Sequence, residues 1–541
     1  MEEITNWFKK ICGFETVYSH QIEIAKALKS EKSILLRAPT GSGKTESVLI
    51  PFLVQFLENN FYIAPRLIYV LPIRVLVNNV AQRIRKYAEK ISPLISIKIQ
   101  QGDIPDAPFF IADIVVTTLD QFVYGFARAS RQVGHHIDMP AGAIASSLVV
   151  FDEAHMYRDE FTFSIMRAIM EILYESKIPF VVMTATMPES LEKSLFENIK
   201  DYSKIIGEDV VSSKLQIKIC DEPLYANNKV NINDKLLRIM KKKKTLIVLN
   251  QVKRAQKVYE EIKNRLGLSE SQIVLLHSRF TKKDRERHEN TALSLIPRKE
   301  NGKIKIPEGV GIVVSTQVLE AGIDFSAELL LTEIAPADCL VQRAGRCARY
   351  EGEEGEMIIF QVEDEKGYKP YEKEHLEKTI NWINENPKFN IKNFNEVCSF
   401  VNILDYQAND FEARDTLVDL YECVLYADTK PQNIQVRDSK PVTIVVVDFS
   451  IGEGRRKEDI IRSSIRKTAV NLRENSIDID IGVAWQLFKD GILKYRFIYD
   501  VESKNWDFEE IKEIQPFNIY IIEKNDYDEN IGVKNDTSYF I

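Results

Sequence analysis

The chain has 541 residues, 45% hydrophobic and 28% charged, with 22 Gly and 19 Pro. That length suits three or four domains, and the composition excludes a wholly disordered, collagen-like or coiled-coil chain. With 72 basic and 80 acidic residues the formal charge is −8, so any nucleic-acid track must be a local basic groove on an acidic body.

In chain order, the opening MEEITNWFKK lacks the apolar core of a secretory signal. No later stretch holds about 18 uninterrupted apolar residues, so no membrane span is expected. From Leu35 to about Ile206, short apolar runs alternate with longer helical patterns. ILL, RLIYVLP, DIVVTT, SLVVFDE and FVVMTAT are rich in Val, Ile and Leu, and each leads into a polar turn. They predict buried strands of a parallel sheet with helices on both faces. Residues 125–147, rich in Gly, Ala and Ser, predict a loop or small helical excursion. The pattern restarts with TLIVLN, IVLLHS, GIVVSTQ and ELLLTE between Thr245 and Thr332, an element order like the first. Lys241 to Lys244, just before it, read as a solvated helix end. Residues 366–430 read as helical and acidic. Residues 441–541 hold a strand-like PVTIVVVDF, a basic stretch from Gly454 to Arg473 that reads as a solvated amphipathic face, and aromatic-rich segments. Six dispersed cysteines (Cys12, Cys220, Cys339, Cys347, Cys398, Cys423) form no CxxC pair, which fits a reducing cytosol and argues against a disulfide framework.

Two short motifs carry chemistry. Ala38-Pro39-Thr40-Gly41-Ser42-Gly43-Lys44-Thr45 follows the strand ILL and precedes a helical pattern. Glycines there let backbone N–H groups turn toward phosphate oxygens, and a helix N-terminus adds positive potential. Lys44 would neutralise the β- and γ-phosphates, and the Thr45 hydroxyl would ligate Mg²⁺. Ala38 stands where the strict loop pattern has Gly. The second motif is Asp152-Glu153-Ala154-His155, at the tip of the strand Val149-Val150-Phe151, where α/β folds bind ligands. Asp152 suits Mg²⁺ coordination through water. Glu153 suits orienting and deprotonating an attacking water.

With these motifs the chain resembles the superfamily-two helicases of the DEAH-box type. The resemblance implies ATP as substrate, with Mg²⁺, in an α/β protein of two tandem RecA-like parallel-sheet domains plus a C-terminal accessory domain. The implied divisions are 1–210, 211–365, a helical linker region 366–440, and 441–541. Thr40, Gly41, Ser42, Gly43, Lys44 and Thr45 would cradle the nucleotide, with Gln21 reading the adenine edge. Thr184-Ala185-Thr186 would couple hydrolysis to strand movement. Pro72, Arg74, Thr117 and Thr118 would contact the nucleic-acid backbone. In the second lobe, the segment from Ser315 to Asp324 resembles a motif that contacts both ligands, Thr316 on nucleic acid, Gly322 and Asp324 on nucleotide. Gln342-Arg343-Ala344-Gly345-Arg346 through Arg349 resembles the arginine-finger motif, with Arg346 and Arg349 as fingers and Gln342 beside them. Arg279, in His277-Ser278-Arg279, is a further backbone candidate.

Three details narrow the resemblance to the CRISPR-associated type I helicases: Met156-Tyr157-Arg158-Asp159 after the DEAH motif, the segment LLHSRFTKKDR, and DCLVQRAGRCAR. That family implies recruitment by the RNA-guided complex Cascade, 3′→5′ movement on displaced single-stranded DNA, and delivery to a metal-dependent HD nuclease. The seven histidines include no His-Asp dipeptide, and His135-His136 reads as a loop pair. The expectation is a cytoplasmic helicase-only subunit working with a separate HD nuclease and no membrane. Three alternatives stay open: an RNA-remodelling ATPase, a repair or restriction translocase, and an ATP-switched bridging subunit.

Overall fold

Five apolar runs of the first third become the strands β1 (Ser33–Arg37), β2 (Arg66–Leu71), β4 (Ile114–Thr118), β5 (Ser147–Phe151) and β6 (Phe180–Thr184). In the computed structural model, the described residues are 2–14, 16–30, 33–102, 105–157, 159–208, 213–300, 303–320, 324–363, 365–406, 410–426, 434, 436, 441–501, 504–516 and 518–534. Two further strands, β3 (Ile97–Gln100) and β7 (Ser203–Ile206), close the edges, giving the order β3-β4-β2-β5-β6-β1-β7. Every neighbouring pair is parallel. Alternate residues of β2 serve opposite cores: Ile68 and Val70 face one, Leu67, Tyr69 and Leu71 the other. Burial on both faces explains the unbroken apolar runs, each large aliphatic contributing about 1.5–3 kcal/mol.

The second sheet repeats the principle. It uses β8 (Lys214–Cys220), then, after a small hairpin of β9 (Tyr225–Ala226) and β10 (Lys229–Val230), β11 (Thr245–Val248) and β12 (Ile273–Leu276). A hairpin of β13 (Arg298–Glu300) and β14 (Lys303–Lys305) precedes β15 (Ile312–Ser315), β16 (Leu329–Glu333) and β17 (Glu354–Phe360). The order is β12-β15-β11-β16-β17-β8, again all parallel. The accessory region is a mixed sheet of β18 (Pro441–Val447), β19 (Ser476–Asp480), β20 (Tyr495–Asp500), β21 (Asn505–Glu510) and β22 (Ile519–Glu523), in the order β19-β18-β22-β20-β21. A last hairpin pairs β23 (Tyr527–Asp528) with β24 (Gly532–Val533). Its basic stretch forms the helix Lys457–Ala469, where Arg456, Arg462 and Lys467 pair with Asp459, Asp507 and Glu453. The fold class is α/β with two parallel-sheet domains and a C-terminal accessory region.

The chain divides into two compact units, 1–210 with 393–438 and 211–392 with 439–541. The expected helical linker 366–440 is thus shared, its second part belonging with the first sheet. The cause is packing. In the helix Asp410–Leu425, Leu420 and Cys423 complete a core built by Phe161, Ile165 and Ile169 of the helix Glu160–Glu175. Arg128 donates to the carbonyl of Cys423. Arg37, paired with buried Glu192 at 3.0 Å, lies 3.6 Å from Cys398 Sγ, and the Glu189 amide donates to Asn402 Oδ1 at 3.0 Å. Residues 125–147 contain a short 3₁₀ turn, Arg131–Val133, and the helix Asp138–Ala145. No helix among the described residues is long and apolar enough to cross a membrane.

Candidate nucleotide and nucleic-acid site

Strand β1 ends at Arg37, and the helix Lys44–Glu58 begins without a side-chain cap, leaving its first-turn N–H groups toward the loop. Gly41 and Gly43 have φ of 85° and 76°, the left-handed region. A Cβ on Gly43 would also lie 2.5 Å from Gln21 Nε2. The Lys44 ammonium donates to the carbonyls of Ala38 and Pro39 at 3.0 and 3.2 Å, and the Ser42 amide donates to Pro39 O at 3.2 Å. Thr40 is half-buried in this turn, and the buried Ser42 hydroxyl has no hydrogen-bond partner among the described residues. Gln21 is buried, accepting from the Tyr18 amide at 3.0 Å and donating to Ser42 O at 3.4 Å. One amide proton and one carbonyl lone pair are thereby committed to the chain, and one of each is left for a base edge.

Asp152, at the end of β5, is 6% exposed. Its Oδ2 accepts from the Tyr69 hydroxyl at 2.5 Å and its Oδ1 from the Glu153 amide at 2.8 Å. Burial, reinforced by the Glu153 charge and opposed by Lys44, pushes the Asp152 carboxyl up to about 6. Tyr69 also lies 3.2 Å from Thr45 Oγ1, and Arg83 Nη2 donates to the same oxygen at 3.3 Å. A buried carboxylate beside a hydroxyl is a hard-oxygen set that fits Mg²⁺. Glu153 sits at φ 52°, ψ 42°, a left-handed conformation costing a non-glycine residue about 1–2 kcal/mol. Its buried Oε2 has no hydrogen-bond partner among the described residues, and His155 Nδ1 is 3.6 Å away. That ring nitrogen lies 3.3 Å from Thr184 Oγ1, which accepts from the Thr186 amide at 3.3 Å. The acidic motif and the Thr184-Ala185-Thr186 motif are therefore in direct contact.

The structure separates the nucleic-acid candidates of this unit. Arg74 is exposed at the start of the helix Arg74–Ala88, and Pro72 is buried before it. Thr117 and Thr118 are buried, and the Thr117 hydroxyl donates to Gln100 O at 2.8 Å. Thr117 secures the end of β4, so its side chain is not presented to a ligand.

In the second unit, Thr316 is buried, its amide donating to Leu276 O at 3.1 Å. Ala321, Gly322 and Ile323, like Arg158 in the first unit, lie outside the described residues. Arg346 donates to Leu319 O at 3.1 Å and Glu320 O at 2.8 Å. Arg349 pairs with Asp324 at 2.8 Å and donates to Gly345 O at 3.1 Å, while Gln342 is half-buried on the helix Ala337–Ala344. Both expected fingers are thus engaged with the segment carrying Asp324. Arg343, between them in sequence, is fully enclosed by Glu320, Thr332, Asn250 and Tyr371. Arg279 is 3% exposed, and its backbone carbonyl lies against the β23–β24 hairpin. The Val533 amide donates to Arg279 O at 3.2 Å, His277 Nε2 lies 2.8 Å from Ile531 O, and burial pulls the Arg279 guanidinium down to about 10. His135 and His136 are exposed, and no group of three or more His, Cys, Asp or Glu among the described residues could hold a metal ion.

Tyr69 and Arg83 escaped the sequence reading. The only signal for Tyr69 was a hydroxyl within the apolar stretch Leu67 to Leu71. Arg83 was one of several charges on the solvent face of the helix Arg74–Ala88.

A family model described as DEAD/DEAH box helicase matches residues 18–194. A second, described as CRISPR-associated nuclease/helicase Cas3, C-terminal, matches residues 241–352. The chain is 29% identical over 371 residues to the CRISPR-associated helicase Cas3 of Thermoproteus tenax, covering 65% of this chain and 60% of that one. To the putative CRISPR-associated nuclease/helicase Cas3 of Methanocaldococcus jannaschii it is 28% identical over 477 residues, covering 80% and 61%. The chain therefore spans about three fifths of the length of these curated relatives. The crystal structure of T. fusca Cas3-ATP shares the fold, with a TM-score of 0.69 at 17% identity over 96% of this chain and 69% of that one. The chain is thus an ATP-dependent helicase similar to the CRISPR-associated Cas3 helicases.

Proposed function

We propose that the protein is an ATP-driven motor that moves 3′→5′ on single-stranded DNA during CRISPR interference. In this reading it works in the cytoplasm with Cascade and with an HD nuclease whose metal ligands lie outside these residues. The observation that carries the reading is in the first unit. A loop with a cation folded over it, a buried carboxylate and a carboxylate oxygen without a hydrogen-bond partner converge on the tip of β5. Lys44 exchanges two backbone carbonyls for the β- and γ-phosphates of ATP. Glu153 Oε2 takes the proton of the attacking water. Mg²⁺, held by Thr45 and Asp152, would neutralise charge building on the phosphate oxygens.

In this reading Arg346 and Arg349 donate to the γ-phosphate. Arg349 Nε is held by Asp324 at 2.8 Å and Nη1 by Gly345 O at 3.1 Å, which leaves further N–H donors of the guanidinium for that phosphate. Loss of the γ-phosphate removes these arginine contacts. Alternate gripping of the sugar–phosphate backbone by the two units then advances the protein, with little sequence preference. The test is strand displacement with ATP on matched 3′-tailed and 5′-tailed DNA and RNA duplexes, with and without a candidate nuclease. Displacement of 3′-tailed DNA supports the reading. RNA-only unwinding, or ATP turnover without displacement in the presence of every partner, refutes it.

A further inference from the structure

Tyr69 is fully buried, on the same face of β2 as Leu67 and Leu71. Burying a phenol where Phe would fill the space costs free energy unless the hydroxyl is bonded. Here it has two partners, Asp152 Oδ2 at 2.5 Å and Thr45 Oγ1 at 3.2 Å. A phenol owns one proton. The shorter contact, to a carboxylate, takes it, so the longer contact is made by the Thr45 hydroxyl donating its own proton to the Tyr69 oxygen. A threonine hydroxyl that ligates a cation offers a lone pair and needs an acceptor for its proton elsewhere. Tyr69 supplies that acceptor, and its own proton fixes one oxygen of Asp152. The Glu153 amide, 2.8 Å from Oδ1, fixes the other.

We propose that Tyr69 is a positioning residue for the divalent cation that accompanies the nucleotide, orienting the Thr45 hydroxyl and the Asp152 carboxylate together. This rests on the reading of the site as a nucleotide–Mg²⁺ site. Partners behind metal ligands are worth about 10–100-fold in metal affinity when removed. The hydroxyl's contribution is therefore confined to the increment in nucleotide affinity that Mg²⁺ adds.

The experiment measures binding of a fluorescent ATP analogue to the full chain, in Mg²⁺ and in EDTA, for the wild type, Tyr69→Phe and Tyr69→Met. Phe keeps the ring. Met also lacks the hydroxyl but flexes to fill the space, which provides a second variant if one fails to fold by thermal melting. Both are expected to bind as the wild type does in EDTA and to lose about 10–100-fold of the affinity gained in Mg²⁺. Higher Mg²⁺ should recover the wild-type affinity. A full Mg²⁺ increment in either folded variant overturns the proposal, and so does an equal loss with and without Mg²⁺. A wild type that shows no Mg²⁺ increment overturns the nucleotide–metal reading itself.

Discussion

Replacing Glu153 by Gln tests the proposed general base with little collateral change. The side chain keeps its length, and the left-handed backbone at 153 costs Gln what it costs Glu, so the fold should be preserved. Oε2 makes no hydrogen bond among the described residues that the amide would lose. What disappears is a proton acceptor, worth about 10²–10⁴ in rate, or roughly 3–5 kcal/mol of barrier. A negative charge beside Asp152 disappears too. Because the Glu153 charge helps raise the Asp152 carboxyl to about 6, its removal lets Asp152 ionise at lower pH. Nucleotide binding should then equal or exceed that of the wild type. The assay is phosphate release at saturating ATP with single-stranded DNA, beside fluorescent-nucleotide binding on the same preparation. Hydrolysis within about threefold of wild type would remove Glu153 from the chemistry. A parallel loss of binding and hydrolysis would make it a structural residue.

Lys44→Ala removes a charged donor worth about 1.5–3 kcal/mol, so nucleotide affinity should fall about 10–100-fold; unchanged binding by calorimetry would refute the loop assignment. Arg349→Ala should lower ATP turnover about 10³-fold while changing nucleotide affinity less than about tenfold, and steady-state kinetics showing equal losses would argue against a finger. Lys392 donates to Ala344 O at 2.8 Å and Cys347 O at 2.6 Å, and burial pulls its ammonium from 10.5 down to about 8. Between those two values the unfolded chain binds the proton that the folded one has released, so this residue makes stability rise with pH across that window. Melting curves should show that rise flattened in Lys392→Met, and an unchanged slope would discount the burial of this amine.

The central strands were legible because burial on both faces leaves an unbroken apolar run, as in Val149-Val150-Phe151 and Leu329-Leu330-Leu331. The edge strands β3 and β8 were missed because IKIQ and KLQIKIC alternate apolar with polar residues, the pattern of a half-buried strand, and so lack an unbroken apolar run. The Lys44 and Asp152 motifs announced themselves because their spacing encodes local backbone geometry. Tyr69 did not, because its function comes from what stands across the sheet, in another strand and in the loop. The burial of Arg279 was not legible either: the hairpin against its carbonyl lies some 250 residues further along the chain, and short motifs carry no record of such distant partners. The same applies to residues 393–438, whose apolar stripe marks a helix without saying which core it completes.

That returning stripe bears on how the protein is made. Apart from Leu420, Cys423 and Val436, the buried members of this core all lie before residue 200, yet those three leave the ribosome only after the whole second sheet has been synthesised. During translation the nascent first half therefore carries a bare apolar seat, open to chaperones and to aggregation, until its own distant segment arrives. A fragment cut at residue 210 would keep that seat permanently uncovered, so expression trials of the first half alone should splice in 393–438.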